Sequence, residues 1–241
     1  MATGLRILLA LDIAAVAFGA WLLTQRGHSA GAALGIALLV LLALDVILVS
    51  AAWALSRRYA SDAPEGLAAG FRGSLRMFVL EFAATEALGR LCMPFDGLFM
   101  GADRPRPGAR RAPPVLLIHG YMCNRGFWCW MRGKLEAAGY AVGTITLEPA
   151  YGDIDAYAQG IHERVEKLVA ETGHERVVLI GHSMGGLASR VYMRRFSASR
   201  VARLITLGTP HQGTRIARLG LGLNARQMRY GGAWLGTLNG V

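Results

Sequence analysis

Residues 176–186 read RVVLIGHSMGG, an apolar strand-like run that passes directly into a glycine-rich turn. The turn matches the pattern G-x-S-x-G, and a helical pattern follows it. A serine in this context projects its hydroxyl from a strained strand-to-helix turn, where flanking glycines avoid the collisions that a Cβ would cause. The pattern therefore predicts Ser183 as a nucleophile, held between Gly181 and Gly185. An ordinary glycine-rich β–α turn is the alternative interpretation.

Strands and helices alternate on both sides of this turn. Short, fully apolar strands are typical of a parallel sheet that is covered on both faces. Their alternation with helices predicts a doubly wound, mostly parallel α/β sheet within a domain that spans residues 114–241. The predicted strands are residues 115–118, 141–147, 176–180 and 201–207, and the predicted helices are residues 126–138, 153–172 and 184–196.

A second motif, His119-Gly120-Tyr121, follows the first strand, at the edge where a parallel sheet gathers its active-site loops. Acyl transfer needs two backbone N–H donors for the oxyanion that forms in its transition state. The N–H of Met184, directly after Ser183, supplies one donor. The N–H of Tyr121, presented by the flexible Gly120, supplies the other. His119 is expected to brace this loop rather than act as a base.

Together with a third motif, residues 208–214 (GTPHQGT), these residues resemble bacterial triacylglycerol lipases and related esterases of the α/β-hydrolase superfamily. The resemblance covers roughly residue 114 to the C-terminus. It implies the α/β-hydrolase fold and hydrolysis of carboxylic esters through an acyl-enzyme on Ser183, with Tyr121 and Met184 at the oxyanion hole. It also implies a lipid or ester substrate, with no metal and no organic cofactor.

In that superfamily the catalytic acid and histidine follow the serine in the chain. No aspartate or glutamate follows Glu175, and the only later histidine, His211, matches a structural position of the family's loop. We therefore expect a domain that is incomplete at its C-terminal side, without the far strands, the acid and the catalytic histidine. The alternatives are a catalytically inactive membrane scaffold or binding protein, a site completed by another chain, and an acyltransferase.

The first 58 residues contain two long apolar runs, residues 7–23 and 30–55, joined by a short polar stretch. About 20 apolar residues cross a bilayer core of about 30 Å, so the runs predict a transmembrane helical hairpin. A cleaved signal peptide is the competing interpretation of the first run. More arginines follow the second run than lie in the loop, which predicts that both termini and the hydrolase domain are cytoplasmic. Together with the resemblance to bacterial lipases, this makes a bacterial inner membrane the expected location.

Two carboxylates, Asp12 and Asp45, interrupt the apolar runs. An ionisable group in a bilayer is costly and usually faces protein rather than lipid. The favoured interpretation is that protonated carboxyls, or one pair, join the helices by hydrogen bonds. The alternative is a proton or ion path in a transport-related protein.

Residues 59–113 are expected to hold an amphipathic helix and a linker rich in proline and arginine. The helix is predicted over residues 62–92 and either lies on the membrane surface or packs on the following domain. The linker is expected at residues 103–114, as a spacer or an irregular lead-in to the first strand. Residues 215–238 contain leucines and Trp234 among four arginines, and are expected to form either a lid over an acyl pocket or a core-facing helix.

The formal net charge of +10 favours contact with anionic lipid or nucleic acid. The sequence has no zinc-finger spacing, no RNP-like motif and no basic stripe interleaved with aromatic residues, so a membrane is the expected partner and nucleic acid is not. Three cysteines without a C-x-x-C pair argue against a disulfide framework or a zinc site. Cys123 and Cys129 are close enough in sequence to pair in an oxidising compartment, but free thiols are expected.

Overall fold

The computed structural model describes residues 1–58, 70–105 and 112–240. The chain divides into two compact units, one of residues 3–91 and one that runs from Cys92 onward and includes Met1 and Ala2. The predicted start of the amphipathic helix at residues 62–69 lies outside the described residues, as does the middle of the predicted linker.

The first unit contains two long helices, α1 (Ala2–Gln25) and α2 (Ala30–Arg58). They have 24 and 29 residues and are long and apolar enough to cross a membrane. Most of their large apolar side chains are exposed, whereas Ala33 and Ala37 are buried. Small residues allow two helices to approach closely, and a Cβ added to Gly19 would lie 3.7 Å from the Cβ of Ala37.

A third helix, α3 (Phe71–Ala87), continues into a π-helical turn at Leu88–Cys92, within the predicted amphipathic segment. It contacts α2, because the rings of Trp53 and Phe78 meet edge to face with their centroids 5.9 Å apart. The sequence predicts this helix on the membrane surface or on the following domain, and neither alternative includes the contact with α2.

The two carboxylates of the apolar helices share one cation. An Nη atom of Arg90 lies 2.9 Å from Oδ2 of Asp45 and 3.3 Å from Oδ2 of Asp12, and the guanidinium also pairs with Glu86. This arrangement differs from the expected hydrogen bonds between protonated carboxyls. The cation comes from the π-helical turn after α3, so only the packing of three helices brings it to the two aspartates.

The second unit is built on a parallel sheet of four strands in the order β2-β1-β3-β4, which confirms the predicted fold class. The strands are β1 (Val115–Ile118), β2 (Val142–Ile145), β3 (Val177–His182) and β4 (Val201–Leu207). The helices are α4 (Asp96–Met100), α5 (Cys129–Ala137), α6 (Ile154–Thr172), α7 (Met184–Phe196), α8 (Gly222–Gln227) and α9 (Ala233–Asn239), with 3-10 turns at Arg125–Trp128 and Arg215–Arg218.

Strand β1 shows why the sheet is covered on both faces. All four of its side chains are buried. Leu116 and Ile118 belong to the apolar core beneath α6 and α7, whereas Val115 and Leu117 pack with the residues around α5. A strand with two buried faces needs a continuous apolar sequence, which is the pattern of β1.

Helix α6 illustrates how local signals set an element's limits. The side chain of Asp153 accepts a hydrogen bond of 2.9 Å from the N–H of Asp155 and caps the start of the helix. Gly173, with φ of 73°, ends it in the left-handed conformation. Between these caps, buried side chains recur at steps of three or four: Ile154, Tyr157, Ala158, Ile161, Val165, Leu168 and Thr172. The helix therefore lies where the sequence predicts it, within one residue.

The segment before β1 is anchored by a buried carboxylate, Asp103, whose side chain is only 11% exposed. It pairs with three arginines: Arg125 in the turn before α5 at 3.0 Å, Arg132 in α5 at 3.2 Å and Arg164 in α6 at 2.9 Å. It also accepts hydrogen bonds from the N–H and the hydroxyl of Thr144 in β2, at 2.6 and 2.9 Å. Residue 103 was predicted to begin a linker. Its partners are 22 to 61 residues away, so no local pattern reveals them.

The segment after β4 contains core-facing side chains, as one of its two alternatives predicts, and the lid stays a prediction. Ala217, Ala225, Met228 and Leu235 are buried against the domain. Leu219 and Leu221 on the same segment are 80% and 70% exposed. One face of this segment thus packs into the core, and the other presents leucines outward.

Candidate active site

Ser183 is the single residue between the end of β3 and the start of α7. It has φ of 49° and ψ of −120°, a conformation that is costly for a residue with a Cβ. The surroundings enforce it: the Ser183 N–H donates to the Leu207 carbonyl at 2.8 Å, and the Ser183 carbonyl accepts from the Thr209 hydroxyl at 2.9 Å. The serine therefore stands on a strained turn at the C-terminal edge of the sheet, as the G-x-S-x-G pattern predicts.

The glycines on either side of the serine are required by close backbone contacts. A Cβ on Gly181 would lie 2.5 Å from the backbone nitrogen of Gly186. A Cβ on Gly185 would collide with the carbonyl oxygens of Ile118 and His119. Real Cβ atoms do not approach backbone atoms so closely, so any side chain at these two positions would force the turn open.

The loop after β1 lies directly against the serine. A Cβ on Gly120 would lie 3.0 Å from the Cβ of Ser183. Two backbone N–H groups belong to this region, that of Tyr121 in the loop and that of Met184 at the first position of α7. Within the described part of the chain, neither donates a hydrogen bond to another protein atom. The N-terminus of a helix favours negative charge, so these two donors suit a carbonyl oxygen that becomes an oxyanion.

The side chain of Tyr121 joins this loop to the segment after β4, a contact that the sequence analysis missed. Its hydroxyl donates to the carbonyl of Leu221 and accepts from the N–H of the same residue, both at 2.8 Å. Its ring also meets that of Tyr151 edge to face, with centroids 6.0 Å apart. The exposed leucines of the later segment are therefore held next to the loop that carries the Tyr121 N–H.

His119 is almost completely buried and uses both ring nitrogens. Nε2 accepts a hydrogen bond of 2.8 Å from the Leu147 N–H, so Nδ1 carries the hydrogen and donates to the Gly120 carbonyl at 2.8 Å. Burial lowers the pKa of His119 to about 4, against a smaller opposing contribution from the hydrogen bond to Gly120. The neutral ring therefore links the loop after β1 to the backbone at Leu147, just after β2, by two hydrogen bonds.

The buried neutral state of His119 predicts a pH-dependent stability. In the unfolded chain a histidine has a pKa of about 6.5, so acid protonates the unfolded state first. The contribution of His119 to the free energy of unfolding should be constant above about pH 6.5 and fall by roughly 3 kcal/mol as the pH drops to about 4. Urea titrations of the detergent-solubilised protein at several pH values in this range measure how steeply the free energy of unfolding changes with pH. His119→Gln should reduce this slope, and an unchanged slope in that variant would contradict the assignment.

Two further histidines lie in the motifs around the serine. His182 stacks on the ring of Phe127 with centroids 4.3 Å apart, and burial lowers its pKa. The ring of His211 lies 3.3 Å from a guanidinium nitrogen of Arg190 and 3.1 Å from the hydroxyl of Thr206. Burial, with a further contribution from the Arg190 charge, lowers the pKa of His211.

Neither a histidine base nor a metal centre is assembled around the serine in the described residues. Within residues 1–58, 70–105 and 112–240, no histidine is hydrogen-bonded to the Ser183 hydroxyl. In the same ranges, no three His, Cys, Asp or Glu side chains form a group that could hold a metal ion.

Comparisons with known proteins agree with this architecture. Residues 155–226 match the family model of a PGAP1-like alpha/beta domain. A triacylglycerol lipase of Pseudarthrobacter phenanthrenivorans is 34% identical over 112 residues, which are 43% of this chain and 35% of the lipase. Methylesterase 3 of Arabidopsis thaliana is 34% identical over 95 residues, which are 36% of this chain and 35% of the esterase.

Among solved structures, the mature form of Bacillus licheniformis lipase BlEst2 aligns with a TM-score of 0.49 at 22% identity, covering 58% of this chain and 61% of that one. The chain spans about a third of the length of the curated relatives it matches. The family model, the relatives and the parallel sheet with its strand-to-helix serine confirm the predicted resemblance: the second unit has a parallel α/β sheet and resembles the α/β-hydrolase domains of lipases and esterases.

Proposed function

We propose that this protein is a membrane-anchored serine hydrolase that cleaves carboxylic esters, with lipid-like esters as its substrate class. The observation that carries the proposal is the conformation of Ser183 at the β3–α7 junction, with φ of 49° beside two uncommitted backbone N–H groups. The names of the relatives, triacylglycerol lipases and methylesterases, support ester chemistry.

In the proposed reaction, Ser183 Oγ attacks the carbonyl carbon of the ester and its proton passes to a general base. The N–H groups of Tyr121 and Met184 stabilise the oxyanion that forms. Collapse of this intermediate expels the alcohol and leaves an acyl group on the serine, which water then removes. We assign no described residue as the base, because none of the described histidines contacts the serine hydroxyl.

Membrane anchoring is the second part of the proposal. Helices α1 and α2 are long enough to span a bilayer, and they expose large apolar side chains such as Leu39 and Leu48 along their length. A signal sequence would account for α1 but not for a second apolar helix directly after it. The excess of arginine after α2 supports a cytoplasmic position for the hydrolase domain. An anchored enzyme meets lipid esters at high local concentration, which suits the proposed substrates.

One experiment tests both parts. Membranes that contain the full-length protein are washed at alkaline pH to remove peripheral proteins and then treated with a fluorophosphonate probe. The washed membranes should carry a label that Ser183→Ala abolishes, and Ser183→Ala should lower ester hydrolysis by about a thousandfold or more.

The matched control is Ser197→Ala, because Ser197 is an exposed serine that also has positive φ, at the opposite end of α7. The Ser197→Ala protein should react with the fluorophosphonate probe to the same extent as the wild type. Equal labelling of Ser183→Ala would overturn the nucleophile, whereas absence of labelling in the folded wild type would leave a non-catalytic scaffold as the better function. Release of the labelled protein into the alkaline wash would overturn the anchor.

A further inference from the structure

Two thiols of the second unit lie within hydrogen-bonding distance of each other. Sγ of Cys129 is 2.9 Å from Sγ of Cys92, although 37 positions separate them in the chain, and both are free cysteines. The sequence analysis considered Cys123 as the partner of Cys129. The structure instead brings Cys129, the first residue of α5, to Cys92, and both cysteines belong to the second unit.

The backbone around both sulfurs is held in place. The Asn124 side chain donates to the carbonyl of Met93 at 2.7 Å, next to Cys92. A Cβ on Gly126 would lie 2.9 Å from the carbonyl carbon of Cys92, so the two chain segments are in direct contact. A disulfide has an S–S length of about 2.05 Å, so the two sulfurs, 2.9 Å apart, need to approach each other by about 0.9 Å.

We propose that Cys92 and Cys129 are a dithiol–disulfide pair that covalently joins the end of the π-helical turn to α5. A disulfide oxidant such as oxidised glutathione supplies the redox balance. Two S–H bonds of the protein break, one S–S bond forms between Cys92 and Cys129, and the oxidant's disulfide is reduced to two glutathione thiols that take up the protons. On the cytoplasmic side, such a bond would be transient and would respond to the redox state.

The cross-link closes a loop that contains much of the candidate site. Residues 93–128 include the Asp103 anchor, β1 and the loop of His119 and Tyr121. A cross-link of this length restricts the unfolded chain, so oxidation should raise the midpoint of thermal unfolding by roughly 5–10 °C. Burial, followed by the hydrogen bond and the nearby sulfur of Cys92, raises the pKa of Cys129, so the reaction with the oxidant is slow.

The test uses full-length protein in detergent, incubated overnight with oxidised glutathione. Remaining thiols are then alkylated under denaturing conditions, and the protein is digested without reduction and examined by mass spectrometry. The expected product is one cross-linked species that joins the Cys92 and Cys129 peptides, with Cys123 alkylated. Cys123→Ser should keep this cross-link and the rise in thermal midpoint, whereas Cys129→Ser should lose both.

Three outcomes would overturn the proposal: alkylation of all three cysteines after oxidation, a cross-link that involves Cys123, or glutathione adducts in place of an internal bond. Peptide mapping of the wild type and of Cys123→Ser decides the question even if a variant at Cys92 or Cys129 does not fold. The test does not measure ester hydrolysis, so the disulfide proposal can stand even if the proposed hydrolase function fails.

Discussion

Replacement of Asp103 by asparagine is expected to lower the free energy of unfolding by about 3–5 kcal/mol, because it removes the negative charge around which buried arginines are arranged. The side chains of Arg132 and Arg164 are only 9% and 14% exposed. Without the Asp103 carboxylate, Arg132 would keep only Glu136, and Arg164 only Glu171, as a carboxylate partner. Urea unfolding of the solubilised protein, followed by tryptophan fluorescence, measures the loss.

A matched control is available in Glu136, which also pairs with Arg132 at 2.7 Å but is 43% exposed. An exposed ion pair contributes about 0–1 kcal/mol, so Glu136→Gln should change the stability little. Equal losses in Asp103→Asn and Glu136→Gln would show that the buried network does not hold the segment before β1.

The ionisation of Asp103 makes the stability of the protein depend on pH in the acid range. Burial alone would raise the pKa of this carboxyl, but hydrogen bonds from Thr144 and Arg164 and the charge of Arg125 outweigh it and hold the pKa below its ordinary value. The contribution of Asp103 to stability is therefore present above about pH 4, the pKa of an unfolded aspartate, and is lost as the pH falls through the lower folded value. Asp103→Asn should lack this part of the acid transition.

Gly185→Ala is expected to displace Ser183 from the two backbone N–H donors of the candidate site. The new Cβ would fall on the carbonyl oxygens of Ile118 and His119, which are backbone atoms of β1 and its loop and cannot rotate away. The turn must then open and move Ser183 relative to the two N–H donors. A displacement of about 1 Å costs on the order of a hundredfold in rate, so fluorophosphonate labelling and ester hydrolysis should fall by at least that factor. The forced repacking should also cost about 1–3 kcal/mol of stability.

The control for this change is Gly133→Ala on α5, where a Cβ would meet no atom within 4 Å. Alanine is the better helix former at an exposed helical position, so stability should stay the same or rise slightly. Circular dichroism establishes that Gly185→Ala remains folded before labelling is compared. Wild-type labelling in a folded Gly185→Ala protein would show that the close approach to β1 is not needed for the serine.

Much of the fold could be read locally. The apolar runs of β1 and β3, the capping residues of α6 and the glycines around Ser183 each reflect a constraint that acts within a few residues of the chain. Backbone strain, helix capping and strand burial depend on neighbouring residues, so they leave patterns in the sequence. The same is true of α1 and α2, whose length and apolar composition are local properties.

Contacts between distant segments could not be read in this way. The sequence contains many arginines, and nothing local selects Arg164 for Asp103 or Arg90 for Asp12 and Asp45. The same holds for the contact of Tyr121 with residue 221, since its partner depends on how the segment after β4 folds back.

By itself, the sequence determined the strand-to-helix turn that presents Ser183, the alternation of strands and helices, and the two apolar helices at the N-terminus. Only the tertiary structure decided which buried charges meet, which thiol lies beside Cys129, and that the two ring nitrogens of His119 are occupied. Local backbone geometry depends on adjacent residues, whereas buried polar contacts depend on the packing of whole elements, which must bring each donor to an acceptor as water is excluded.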